Sequence, residues 1–199
     1  MRSIIFLFLL FSNLIFSQET EKKKNQVTFK RDFALTLITN HYFGDNYLAK
    51  GHHNLSMGFQ LKSEFLHYRK FRLGIGAEKS TQKVTEFSIG GNIDKTNSNS
   101  FFGTLTYTCD INTKFSLSPE ISFGGIELRQ KDGGKFYGKQ NGQRFGVGIN
   151  LNYLMTKSLS IYNTIGYSFY QFNTNTSEEF KKYFDRSNSV NLSLGIKLH

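Results

Sequence analysis

From about residue 26 onward, apolar side chains recur at every second position. This is the period of a β-strand, in which successive side chains point to opposite faces. The clearest series is Phe145, Val147, Ile149, Leu151, Tyr153 and Met155, set against Arg144, Gly146, Gly148, Asn150 and Asn152. Val190, Leu192, Leu194, Ile196 and Leu198 alternate in the same way with Ser189, Asn191, Ser193, Gly195 and Lys197. Leu105 to Ile111, Phe115 to Phe123, Leu55 to Leu61 and Phe71 to Ala77 predict four further strands. Phe33–Tyr42 and Leu159–Phe172 bring the set to eight.

Tight connectors fall near Tyr68–Lys70, Asn112–Lys114 and Thr156–Ser158, and long polar ones near 43–53, 90–99, 130–143 and 173–187. Lys70, Lys114 and Lys157 mark the three tight turns at spacings of 44 and 43 residues, each followed by a strand, so the repeating unit is a hairpin. The polar faces are rich in Gly, Ser, Thr and Asn and carry four bases and four acids: Lys62, Arg72, Arg144 and Lys197, with Glu64, Glu78, Asp110 and Glu120. A soluble sandwich would also alternate, with its charged face in water, but nothing about that fold calls for such a concentration of small residues there.

With an even strand count, short turns alternating with long loops and one greasy face, the chain from residue 26 to 199 resembles the small eight-stranded outer-membrane barrels of Gram-negative bacteria. The resemblance implies an all-β, antiparallel, up-and-down transmembrane barrel with short periplasmic turns and longer extracellular loops. Apolar residues would face lipid, and the balanced charges would pair in a lumen just wide enough to be filled by side chains. Closure is required in lipid, where no water is available to satisfy a free sheet edge. Trp is absent, so an aromatic girdle would rely on Tyr68, Phe71, Tyr107, Tyr153, Tyr167 and Phe169. Pro119 cannot donate to a ladder, and a closed barrel has no edge to hide it, which predicts a bulge or strand irregularity there.

Composition adds an address. Ile4 to Phe16 is apolar, follows Arg2 and ends at the small Ser17, the layout of a cleavable secretory signal. A 13-residue helix spans roughly 20 Å, short of the roughly 30 Å of bilayer hydrocarbon. The expected organisation is a signal peptide over 1–17, a periplasmic tail over 18–25 and the barrel over 26–199. Cys109 is the only cysteine, so no internal disulfide can staple an exported fold, and a packing role is its simplest use. The net charge of +10 is scattered along the chain without a nucleic-acid-binding motif. Its natural anionic partners are then outer-membrane lipids, including lipopolysaccharide, rather than DNA or RNA, and a monomer is expected.

The segment 129–144 carries five basic residues and one acid, which nominates Arg129, Lys131, Lys135, Tyr137 and Lys139 as contacts for an anionic lipid or ligand, against the plain alternative of a solubilising loop. Ser177 to Phe184 reads as a short helix capped by Ser177, adding Lys181 and Lys182 to the candidate contacts, with a disordered loop as the alternative. His52 and His53 are adjacent without a spaced partner, which is weak evidence for a metal site, and no cofactor motif is present. No Gly-x-Ser-x-Gly elbow and no nucleophile, base and acid set is visible, so no catalytic residue is assigned. The function expected is that of a non-enzymatic surface barrel, structural, adhesive or lipid-contacting. A lipid-modifying outer-membrane enzyme and a secreted soluble barrel binding an apolar ligand are the alternatives.

Overall fold

Strand after strand, side chains alternate between the inside and the outside of one wall, and this single rule organises the molecule. The computed structural model describes residues 27–199 apart from 54, 91 and 92, so the expected signal peptide and the tail over 18–25 lie outside the described residues. The strands are β1 (Val27–Phe43), β2 (Leu55–Tyr68), β3 (Phe71–Lys83), β4 (Lys95–Tyr107), β5 (Cys109–Asp110), β6 (Phe115–Asp132), β7 (Lys135–Thr156), β8 (Leu159–Asn173) and β9 (Arg186–Leu198). Antiparallel pairing runs from neighbour to neighbour; β9 returns to β1, and β4 also pairs with β6, so the sheet closes on itself. The two-residue β5 continues β4 beyond Thr108, which leaves eight strands around the ring.

The break at Thr108 is the irregularity expected of Pro119, in a different form. No bulge occurs at Pro119, which stays in register opposite Ile149. Pairing between β4 and β6 instead stops at Thr106 opposite Glu120 and resumes at Cys109 opposite Leu117, leaving a gap in front of the proline. A residue without an N–H interrupts the neighbouring ladder without forcing an extra residue into its own strand.

The exterior carries an apolar belt of Leu35, Leu37, Phe59, Leu61, Ile75, Phe101, Leu105, Ile121, Val147, Ile149, Leu192 and Leu194, all exposed. At the end bearing the short turns, Phe71 packs on Tyr107 and Phe115 on Tyr153 at 4.9 and 4.7 Å between ring centres, and Phe43 meets Tyr167 at 6.1 Å toward the other end. Phe71, Tyr107, Tyr153 and Tyr167 are four of the six residues named for a girdle, and Phe115 and Phe43 are their ring partners. Small inward residues make room for large ones: a Cβ on Gly76 would lie 2.4 Å from the Phe102 ring, so glycine there lets that ring lie flat inside the wall.

The far end departs from a set of four plain loops. The stretch expected as a long loop over 130–143 is strand: β6 and β7 pair out to Asp132 opposite Lys135 around Gly133 and Gly134, both at positive φ. Successive positive-φ residues make the tight turn whose twist matches paired strands, so the hairpin continues instead of opening. The connector expected at 90–99 ends early, because β4 begins at Lys95. Short helices α1 (Tyr47–Lys50) and α2 (Phe87–Gly90) lie in the first two connectors, and α3 (Glu178–Asp185) in the last. Ser177 stands at the N-cap of α3, but its side chain makes no capping bond.

Candidate functional site

Inside the ring the predicted charges form three linked groups. Nearest the short turns, Lys197 donates to Glu64 at 2.6 Å, and Arg72 donates to Glu64 and to Asp32, each at 3.2 Å. His199 lies 3.3 Å from Asp32 through Nδ1 and 2.7 Å from the Ser160 hydroxyl through Nε2. In the middle, Lys62 donates to Glu120 at 2.7 Å and to the Tyr162 hydroxyl at 3.3 Å, and Asn150 donates to the same carboxylate at 2.9 Å. Above them, Glu78 accepts from Asn40 at 2.8 Å, Gln60 at 3.0 Å and Arg144 at 3.2 Å, while the Arg144 guanidinium rests 4.3 Å from the Phe102 ring centre.

Seven of the eight predicted interior charges take part in these pairs, and the eighth is a correction. Asp110 is exposed in β5, beyond the gap where the ordered wall gives way to the turn. Its place is taken by Asp32, which is 1% exposed. Extending the alternation of Phe33, Leu35 and Leu37 back by one residue would have found it. Asp32, Glu64 and His67 bring potential ligand atoms within 4.8 Å of one another, but Arg72 and Lys197 already bind both carboxylates. Two cations among the ligands make this a salt-bridge cluster rather than a cation site.

At the end with the long connectors the filling changes from ionic to apolar. Tyr42, Ile126, Leu128, Tyr170 and Phe172 all point inward, and the first connector folds down so that Tyr47 and Leu48 of α1 complete a buried cluster. Asn46 caps α1, accepting from the Ala49 amide at 3.0 Å and from the Ser187 hydroxyl at 3.0 Å, and donates to the Phe43 carbonyl at 2.8 Å. Gln82 ties the connector to the wall by donating to the carbonyls of Leu48 at 3.0 Å and His53 at 2.7 Å. His52 is buried against Tyr47, its Nε2 2.7 Å from the Thr96 hydroxyl. Burial holds its pKa down to about 4, opposed in part by the Tyr47 carbonyl. Burial likewise pushes the Tyr47 hydroxyl up to about 12, against the Gln130 side chain that donates to it. Tyr183 and Phe184 of α3 close over the cluster, with Phe184 5.2 Å from Tyr47 between ring centres. This plug escaped the sequence reading, although inward apolar residues at the upper strand ends were its visible signal.

Among the described residues, the paired charges occupy the lumen from the short turns to mid-height and the plug occupies its other end. The space remaining between Gln60, Lys62, Glu120 and Arg144 is about 20 Å³, room for about one water. The predicted contact residues sit on two different elements. Arg129, Lys131, Lys135, Tyr137 and Lys139 stand on the β6–β7 hairpin, and Lys181 and Lys182 on α3, where Lys181 pairs with Glu178 at 2.6 Å. His41 is exposed on the outer side of β1, away from any nucleophile inside.

No protein-family model and no curated protein matches the chain. Among solved structures it is similar to Neisserial surface protein A, at 12% identity and a TM-score of 0.63, covering 87% of this chain and 98% of that one. It is also similar to a major outer membrane protein from Thermus thermophilus, at 11% identity and a TM-score of 0.53, covering 85% and 99%. The fold is that of the small eight-stranded outer-membrane barrels.

Proposed function

We propose that the chain is exported behind its N-terminal leader and resides as a monomer in an outer membrane, as a closed, non-conducting barrel. In this reading it acts through the surface it raises beyond the lipid, in an adhesive, structural or lipid-contacting role, and catalyses no reaction. The observation that carries it is the inversion of an ordinary protein: an apolar belt outside and paired charges inside, which is stable only where hydrocarbon surrounds the wall. A bilayer needs about 9–11 residues per tilted strand, so the 22 residues of β7 and the 18 of β6 project well beyond it. The hairpin residues Arg129, Lys131, Lys135, Tyr137 and Lys139, with Lys181 and Lys182 of α3, are then offered to anionic headgroups such as those of lipopolysaccharide.

The test is electrophoretic mobility in detergent before and after boiling, together with conductance in a planar bilayer. A folded barrel is expected to shift on boiling and to pass no steady current. A chain that runs alike in both states, or stays in the aqueous fraction without detergent, would remove the membrane placement. A steady open current would remove the plug.

A further inference from the structure

We infer that the outer wall of β3, β4 and β6 carries a binding site for a phosphorylated glycolipid headgroup, centred on a ladder of three lysines. The inference rests on the outer-membrane placement proposed above and names one partner for the projecting surface. Lys83 stands directly opposite Lys95, and Lys95 directly opposite Lys131. All three are odd-numbered and share the outward face with Ile75, Phe101 and Phe123.

Like charges on directly paired residues of adjacent strands, about 5 Å apart, oppose pairing. An anion lying across such a row would offset that repulsion. Among the described residues none of the three lysines has an ion-pair partner, and Asp94 and Asp132, each one residue along from a ladder lysine, form no pair with them. The next outward row holds Arg129 beside Lys139, and the one below it holds Lys79, Asn99 and Glu127. Glu127 is the one acid in these rows, and it is bound to Arg129.

Height selects the ligand. Phe101 is the last apolar side chain on the outer face of β4, and Asn99 and Asn97 separate it from Lys95. The six residue steps from Phe101 to Lys95 measure about 20 Å along the strand, or roughly 15 Å of height at a tilt of roughly 40°. A simple phospholipid keeps its phosphate close to the hydrocarbon and would meet only the Lys79 row. A glycolipid whose sugars carry phosphate away from the membrane reaches every row, and Asn97, Asn99 and Thr81 offer its hydroxyls hydrogen bonds between the cations.

The test uses the full chain refolded in a neutral detergent and titrated with fluorescent rough lipopolysaccharide whose inner-core sugars carry phosphate, the same lipid with its phosphates removed, and phosphatidylglycerol. The variant K83Q/K95Q/K131Q is compared with K70Q/K114Q/K157Q, which removes equal charge at the short-turn end. At least about tenfold weaker binding is expected for the ladder variant alone. Wild type is expected to prefer intact lipopolysaccharide over both other lipids by a similar factor. Replacing the lysines by arginine should retain binding. Without lipid, the ladder variant should boil out of its folded band at a higher temperature than wild type, since repulsion has been removed.

Equal affinity of both glutamine variants, equal binding of phosphatidylglycerol, or full competition by inorganic pyrophosphate would overturn the site. The heat shift of wild type is scored on the same preparation. If that shift is absent, the membrane placement falls and takes this inference with it; if it is present without a ladder effect, only the glycolipid site falls.

Discussion

Two regions of one lumen are filled with opposite materials. From the short turns to mid-height, the inward positions hold Asp32, Glu64, Arg72, Lys197, Lys62, Glu120, Glu78 and Arg144, four acids against four bases, with Asn and Gln completing their hydrogen bonds. Toward the long connectors they hold Tyr42, Ile126, Leu128, Tyr170 and Phe172, closed by Tyr47 and Leu48. Both fillings occupy the lumen, yet they fail differently. A buried ion pair gives little net stability over an apolar pair of the same shape, but losing one partner strands a charge in the interior. An apolar plug loses stability in proportion to the methyl groups removed and can loosen without opening the wall.

The sharpest way to break this comparison is Glu120→Leu. It leaves Lys62 buried with only the Tyr162 hydroxyl for company, and a loss of about 3–5 kcal/mol is expected. Urea unfolding in vesicles, read by the heat-shift gel, measures it. Adding Lys62→Met should recover most of the loss, and a neutral effect of the single change would refute the pairing.

In the plug, Leu48→Ala should cost about 2–4 kcal/mol, and the loss should stay local. Hydrogen exchange at the Lys50 and Gly51 amides, bonded to the carbonyls of Asn46 and Tyr47 at 3.0 and 2.9 Å, should quicken while the strands stay protected. Equal loss of protection in the strands would merge the two regions into one cooperative unit.

Acid should act on the plug through His52. When the connector is open, the imidazole takes a proton near its ordinary 6.5; folded, burial delays protonation to about 4. Stability is therefore complete above pH 6.5 and falls as pH drops toward 4, by roughly 3 kcal/mol at most. The same amide exchange followed from pH 7 to pH 4 should show this fall, and His52→Gln should flatten it. The smallest effect belongs to Ser177→Ala on α3. Because the serine makes no capping bond, its loss should change stability by only a few tenths of a kcal/mol, well short of the roughly 1 kcal/mol of a working cap.

Much of the candidate site was legible in the same way as the fold. The period-2 pattern separates the greasy face from the polar one, so Lys62, Glu64, Arg72, Glu78, Glu120, Arg144 and Lys197 could be assigned to the interior before any pairing was known. Asp110 defeated the rule because alternation carries no information about where a wall ends. Asp32 stands just before the expected strand Phe33–Tyr42, and β1 reaches back past it to Val27. The 129–144 segment looked like a loop because its charge and glycine content are those of loops; only pairing between β6 and β7 makes it strand.

The sequence by itself determined the number of strands around the ring and which face most of their residues take, because both follow from a two-residue period that is local in the chain. Tertiary structure alone decided which charges meet, where Lys83, Lys95 and Lys131 line up, and that Tyr47 and Leu48 turn inward to close the mouth. Those contacts join residues tens of positions apart, and their geometry is fixed by strand register around a closed ring.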